Sequence, residues 1–296
     1  MREVDMTVTG DDGLRLAGTL ALPAGPGPHP AAVLLPGSGR LDRDGNTARL
    51  RSDTGPALAA ALADDGIATL RYDRRGAGAT PGDWRATGFT DNRRDGAAAV
   101  RALAERPEIR ADAVAVVGHS EGAVHAMALG TRPDVAAVVL LAGFARLGED
   151  ALRWQAGNIV RELPGFVRPV VRAVARRQLA RIKAGSTRVA GRPVNARWMR
   201  ELLAHDPRPD LAVVRVPVLA ITGGKDVQVD AADLEEIRRL VPGEAEVHRI
   251  DDLTHLLRRD PGAASVRSYP RLLRRPVDPG LLTQVSGWLA HQLKAA

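Results

Sequence analysis

Short, largely apolar runs alternate with amphipathic stretches along most of the chain. The runs are bounded by turn residues, as expected for strands buried on both faces; they are Ala31–Leu35, Ile67–Tyr72, Ala113–Val117, Val135–Leu141 and Val216–Thr222. The stretches between them have helical character and are Thr54–Ala63, Asp91–Glu105, Ser120–Gly130 and Ala231–Leu240. This alternation predicts an α/β protein with a mostly parallel sheet, right-handed crossovers and helices on both faces.

Both ends of the chain extend this pattern. The first 22 residues alternate in polarity around Asp11-Asp12-Gly13, which predicts a β-hairpin with its turn at Asp12-Gly13. Near the other end, the pattern predicts a strand at Glu246–Ile250 and a closing helix at Pro279–Lys294.

The alternation stops for about 65 residues after the fourth apolar run, too long for a plain loop. Residues 144–208 are therefore predicted to form a helical cap, inserted between core segments 1–143 and 209–296. Val170–Ala184 is one of its amphipathic stretches. The cap's large aromatic residues, Trp154, Phe166 and Trp198, are the candidate substrate contacts.

Composition narrows the class of protein. Of 296 residues, 45% are hydrophobic and 26% charged, which is typical of a globular protein with a sizeable core. The absence of cysteine excludes disulfides, thiolate metal sites and cysteine nucleophiles. No apolar run is long enough for a membrane helix and no signal peptide is recognisable, so we expect a cytoplasmic protein without stable membrane insertion. No cofactor or metal is predicted.

The positive charge is concentrated in the predicted cap. The chain carries a net charge of +7, whereas residues 144–208 alone hold 14 basic and 5 acidic residues. Only three of the chain's basic residues are lysines, which indicates biased gene composition as one explanation of the excess arginine. The other explanation is that the positive charge attracts anionic substrates to the cap. Without a nucleic-acid motif, no nucleic-acid partner is predicted.

A catalytic motif lies between a predicted strand and a predicted helix. Gly118-His119-Ser120-Glu121-Gly122 follows the run Ala113–Val117 directly. In this context G-x-S-x-G forms a nucleophile elbow, whose strained turn exposes the serine hydroxyl above the sheet. Ser120 is the predicted nucleophile.

A serine nucleophile needs a base and an orienting acid. His255 follows the last predicted strand in a loop and is the predicted base, with His248 in reserve. Asp226 is the first carboxylate after the strand Val216–Thr222 and is the predicted acid, with Asp230 as its competitor.

The oxyanion of an acyl-transfer intermediate needs two backbone donors. The N–H of Glu121, directly after the nucleophile, is one candidate. The second candidate is the N–H of Ser38, because Pro36-Gly37-Ser38-Gly39 follows the run Ala31–Leu35 and lets the backbone approach a ligand.

Together these motifs resemble the α/β-hydrolase superfamily, in particular bacterial serine esterases related to serine-aminopeptidase-like hydrolases. The resemblance includes Asp42-Arg43-Asp44-Gly45 and Tyr72-Asp73-Arg74-Arg75-Gly76, and it covers 1–143 and 209–296. Pro36 stands where relatives often have His, and Ala123 where they often have Gly. We interpret the charged turn residues as fixing loops; they are Asp42, Asp44, Asp73 and Arg74.

The predicted function is hydrolysis of carboxylic esters or thioesters through an acyl-enzyme on Ser120. Acyl transfer or cyclisation by the same serine, and a non-catalytic binding protein on the same fold, are the alternatives. The expected partner is a small acyl substrate, with an anionic or carrier-bound form left open. The oligomeric state also stays open.

Overall fold

The computed structural model describes residues 1–294, and its centre is one eight-stranded sheet. The strands are β1 Arg2–Thr9, β2 Arg15–Leu22, β3 His29–Leu35, β4 Ala68–Tyr72, β5 Ile109–His119, β6 Ala137–Leu141, β9 Val218–Gly223 and β10 Ala245–Ile250. Their order across the sheet is β1-β2-β4-β3-β5-β6-β9-β10. β1 and β2 form the predicted antiparallel hairpin, β2 pairs antiparallel with β4, and the remaining pairs are parallel.

Helices cover both faces of this sheet. The core helices are α1 Thr54–Asp64, α2 Phe89–Ala104, α3 Glu121–Leu129, α8 Asp233–Leu240, α9 Tyr269–Leu272 and α10 Pro279–Lys294. α1 and α10 pack on one face, and α2, α3 and α8 pack on the other. Alternate residues of β5 enter the two cores, Val114 and Val116 on one side and Ala115 and Val117 on the other. This burial on both sides is why the run Ala113–Val117 within β5 is continuously apolar.

The insertion, residues 144–208, is mostly helical. Its elements, with the short helix that follows, are α4 Gly148–Arg161, α5 Arg168–Lys183, β7 Arg188–Val189, β8 Arg192–Pro193, α6 Ala196–Ala204 and α7 Arg208–Leu211. α6 packs on α2 and α4, whereas α5 packs mainly on its neighbours in the insertion and is largely exposed. Whether the insertion acts as a separate cap domain stays a prediction.

A search for a membrane-crossing segment in residues 1–294 finds no helix with the necessary length and apolarity.

Candidate active site

Ser120 lies in the tight turn between β5 and α3. Its backbone angles, φ 55° and ψ −117°, are outside the regions that side chains ordinarily adopt. The turn is held because Ser120 N–H donates to the carbonyl of Leu141 on the neighbouring strand, at 2.8 Å. This conformation is strained, and a strained serine at a strand-to-helix turn is the geometry of a nucleophile elbow.

Two glycines make this turn possible. A Cβ on Gly118 would lie 2.1 Å from the carbonyl oxygen of Gly122, and a Cβ on Gly122 would lie 2.2 Å from that of Leu35. Neither contact is compatible with a side chain, because both opposing atoms belong to the backbone. The glycines of the motif therefore serve close packing of α3 against β3 and β5.

Ser120, His255 and Asp226 form one hydrogen-bonded chain. His255 Nε2 is 3.1 Å from Ser120 Oγ, and His255 Nδ1 is 2.8 Å from Asp226 Oδ2. The other carboxylate oxygen of Asp226 accepts from the backbone N–H groups of Gln228 and Val229, at 2.7 and 2.9 Å. The Asp226 side chain is fully buried, and these three donors fix its orientation.

The alternative acid and base residues have other partners. Asp230 and Asp233 both bind Arg146, at 3.1 and 2.8 Å. His248 lies on β10 and pairs with Glu246 on the same strand. The structure therefore brings Asp226 and His255, rather than their competitors, to Ser120.

His119 contacts the loop of the predicted base, and the sequence analysis missed this contact. Its Nε2 lies 2.8 Å from the backbone carbonyl of His255, and the two rings are 5.0 Å apart. Burial and the neighbouring charge of His255 lower the pKa of His119 to about 4, so its ring is neutral at pH 7. The neutral ring can donate to the His255 carbonyl and hold that loop beside Ser120. Only its place inside the elbow motif could have indicated this role.

The two predicted oxyanion donors flank the serine. Glu121 is the first residue of α3, where backbone N–H groups have no acceptor inside the helix. Ser38 follows Gly37, and a Cβ on Gly37 would lie only 3.4 Å from Ser120 Cβ. The Pro36–Gly39 loop therefore runs directly beside the serine, as the prediction requires.

A cavity of about 300 Å³ opens at Ser120 and His255. Its apolar wall comes from the end of β3, with Leu34 and Leu35, and mainly from the core segments that follow β3 and β10. The large side chains of those segments are Leu41, Leu50, Leu58, Leu256, Tyr269 and Leu273. Arg43 also lines the cavity, and it is neutralised by Asp73 at 2.8 Å. Among residues 1–294, no carboxylate lines this cavity.

The three predicted aromatic contacts do not line this cavity in the described chain. Trp154 lies beside Arg146 and Val229. Phe166, in the turn before α5, is 84% exposed. Trp198 faces Glu121, and its indole N–H donates to the Glu121 carboxylate at 3.0 Å. The cavity is built instead mainly from core loops whose irregular sequence gave no periodic signal.

The arginines of the insertion also lie outside the cavity lining in the part of the chain that the structure describes. On α5, Arg172, Arg176, Arg177 and Arg181 are exposed. The excess positive charge therefore sits on the outer surface of the insertion rather than in the wall around Ser120.

Comparison with known families identifies the class of protein. The family described as "Serine aminopeptidase, S33" matches residues 52–262, more than half of the chain. The chain therefore belongs to this family of α/β hydrolases, and the predicted family and enzyme class are confirmed.

Individual relatives agree with this assignment. The chain is 28% identical to Esterase EstD of Thermotoga maritima over 292 residues, which cover 97% of this chain and 67% of that protein. Est1E from Butyrivibrio proteoclasticus, solved with ferulic acid bound, superposes with a TM-score of 0.68 at 18% identity over 98% of this chain and all of that one. The 2,6-dihydroxy-pseudo-oxynicotine hydrolase superposes with a TM-score of 0.63 at 21% identity, over 99% of this chain and 68% of that one. The two solved structures establish the α/β-hydrolase fold.

Proposed function

We propose that this hydrolase cleaves carboxylic esters or thioesters through an acyl-enzyme on Ser120. The observation that carries the proposal is the Ser120–His255–Asp226 chain, at 3.1 and 2.8 Å, beside an apolar cavity. The relative Esterase EstD, similar over almost the whole chain, supports an ester substrate.

In the proposed mechanism, His255 Nε2 takes the Ser120 proton as Oγ attacks the acyl carbon. Asp226 stabilises the imidazolium through Nδ1. The N–H groups of Ser38 and Glu121 bind the oxyanion, and the C–O or C–S bond breaks as His255 protonates the leaving group. A water molecule, deprotonated by His255, then releases the acid and restores Ser120.

The cavity indicates a neutral, apolar acyl group of modest size. Its volume lies at the lower end of the range for small-molecule sites, and leucines form much of its wall. An aminopeptidase must neutralise the substrate's ammonium group, but no carboxylate lines this cavity among the described residues. We therefore favour an ester or thioester over a peptide substrate and a neutral acyl group over an anionic one.

Turnover of p-nitrophenyl esters of graded chain length by Ser120→Ala tests the proposal. Loss of a triad nucleophile lowers kcat by roughly four to six orders of magnitude, and it should also abolish labelling by an organophosphonate. Retained turnover in a folded Ser120→Ala protein would show that another group is the nucleophile. Faster cleavage of aminoacyl p-nitroanilides than of esters by the unmodified enzyme would reverse the substrate assignment.

Ser38 offers a matched pair of variants for the oxyanion hole. The proposal uses only the backbone N–H of Ser38, so Ser38→Ala should keep kcat, whereas Ser38→Pro removes the donor. Loss of one oxyanion donor costs roughly 10²–10³ in kcat. Equal activity of the two variants would remove Ser38 from the mechanism while leaving Ser120 in place.

A further inference from the structure

Arg74 links the two chain segments that carry the oxyanion donors of the proposed function. Its Nη2 donates to the carbonyl of Pro36, at 3.1 Å, two residues before Ser38. Its Nη1 binds the carboxylate of Glu121, also at 3.1 Å. We propose that Arg74 is a positioning residue, which sets the distance between the Ser38 and Glu121 N–H groups by bridging the loop and the elbow.

The Glu121 end of this bridge is firmly anchored. Besides Arg74, its carboxylate accepts from Asn92 Nδ2 at 2.9 Å, His125 Nε2 at 3.0 Å and Trp198 Nε1 at 3.0 Å. These donors come from α2, α3 and α6, and the Glu121 side chain is only 3% exposed. A carboxylate with donors on several sides cannot swing toward another partner, so the position of Arg74 follows that of α3.

The Pro36 end lies on a segment that needs such support. The loop holds Gly37 and Gly39, and Gly39 has a φ of 114°, a conformation open to glycine but rarely to other residues. Glycines make the backbone of this loop intrinsically flexible, whereas an oxyanion donor must be held in place before the reaction. The bond from Arg74 to Pro36 restricts the loop directly before the donor.

Two neighbouring arginines each grip one carboxylate with a fork, away from the proposed oxyanion donors. Arg43 places Nε and Nη2 on the two oxygens of Asp73, at 3.0 and 2.8 Å. Arg75 does the same on Asp95, at 2.7 and 2.6 Å. Such forked pairs use one carboxylate fully. Both arginines also reach a second segment, Arg43 through Nη1 to Thr19 and Arg75 through Nη1 to Asp12, but neither of these segments carries a proposed oxyanion donor. What distinguishes Arg74 is that the two segments joined by its terminal nitrogens, at Pro36 and at Glu121, are the ones that carry the donors.

Arg74→Lys is the test, with Arg75→Lys as the matched control. Lysine keeps the charge but has a single nitrogen and no planar fork, so it cannot hold Pro36 and Glu121 as arginine does. A misplacement of about 1 Å in a catalytic group costs on the order of 100-fold in rate. We expect Arg74→Lys to lower kcat by about that factor while KM changes little, and Arg75→Lys to keep kcat within a few-fold.

A second readout separates positioning from general stability. A trifluoromethyl ketone that forms a tetrahedral adduct depends on the oxyanion hole, whereas a non-reactive substrate analogue does not. Adduct affinity should fall in parallel with kcat in Arg74→Lys, with affinity for the non-reactive analogue preserved. If both lysine variants lose similar stability and keep kcat within a few-fold of each other, the proposal is wrong.

Arg74→Ala keeps the proposal testable if Arg74→Lys does not fold. Arg74 lines a second cavity of about 160 Å³ with Ser38 and Trp198, which gives a small cation access to the vacated place. Millimolar guanidinium, far below the concentrations that unfold proteins, should restore part of kcat, whereas ammonium should not. Absence of rescue in folded Arg74→Ala would overturn the proposal. Activity retained by Ser120→Ala would instead overturn the proposed function on which it rests.

Discussion

Replacement of Glu121 by glutamine tests how strongly the buried charge beside the elbow stabilises the fold. Burial raises the pKa of Glu121, but Arg74 and the hydrogen bond from His125 outweigh it and hold the pKa at about 2, below the ordinary 4.5. The carboxylate is therefore favoured in the folded state. Glutamine has nearly the same shape but no charge, so Glu121→Gln leaves Arg74 buried without its counter-charge.

The magnitude follows from the difference between folded and unfolded pKa values. A depressed carboxyl pKa stabilises the fold fully above pH 4.5, and this contribution is lost as pH falls toward 2. At about 1.36 kcal/mol per pKa unit, the contribution is about 3 kcal/mol at neutral pH and about 1 kcal/mol at pH 3. The side chain is 3% exposed, so solvent screening does not reduce it much. Breaking a buried pair costs about 3–5 kcal/mol, a similar range.

Urea unfolding between pH 3 and 5.5 measures this contribution. The protein with Glu121 and its Glu121→Gln variant should both carry His125→Gln, because the His125 imidazole also titrates. The glutamine amide at position 125 keeps a hydrogen-bond donor to the Glu121 side chain. The gap in free energy of unfolding between the protein with Glu121 and its Glu121→Gln variant should shrink from pH 5.5 to pH 3 by at most about 2 kcal/mol, because His125 no longer contributes to the low pKa of Glu121 in this background. A gap that stays constant, or widens as pH falls, would refute a charged Glu121 as the source of stability.

Three further predictions concern the elbow, His119 and the charge of the insertion. Gly122→Ala should lower both stability and kcat strongly, because its Cβ would lie 2.2 Å from the Leu35 carbonyl; urea unfolding and ester turnover measure the two effects, and unchanged values would contradict the packing argument. His119→Leu removes the donor to the His255 carbonyl and should lower kcat by roughly 10-fold with KM unchanged, as steady-state kinetics will show. Because the insertion's arginines lie outside the cavity lining in residues 1–294, kcat/KM for anionic and neutral esters should respond equally to salt; a selective fall for the anionic ester would instead establish steering.

The sequence was most informative where one physical requirement determines a residue type. Double-sided burial required continuous apolar strands, and the helix Pro279–Lys294 is found with its predicted bounds. The elbow combines a glycine pattern with a strand before it and a helix after it, so Ser120 could be located before the structure was known. Asp226 and His255 followed from the order of strands, since the carboxyl ends of parallel strands meet at one edge of the sheet.

The lining of the cavity could not be predicted in the same way. An apolar helix face indicates that a surface is buried but does not indicate which partner buries it. For Trp198, the partner is the Glu121 carboxylate, and the cavity that it lines is the smaller one beside Ser38 rather than the one that opens at Ser120 and His255. The cavity's leucines come mostly from loops without periodicity, and their convergence depends on how distant segments pack.

The adjacent charged residues after β4 illustrate why roles within a motif cannot be separated by sequence alone. Successive side chains of an extended segment point in opposite directions, so neighbours in the chain join different networks. Asp73 accepts from Arg43 and from the backbone N–H of Ala79, and thereby fixes two turns. Arg74 turns toward Pro36 and Glu121 instead. The motif therefore contains a loop-fixing carboxylate, Asp73, and an arginine beside the proposed oxyanion donors, Arg74. Of these two residues, only Arg74 is expected to affect kcat, and Arg74→Lys, which replaces the guanidinium fork by a single amine, should show it.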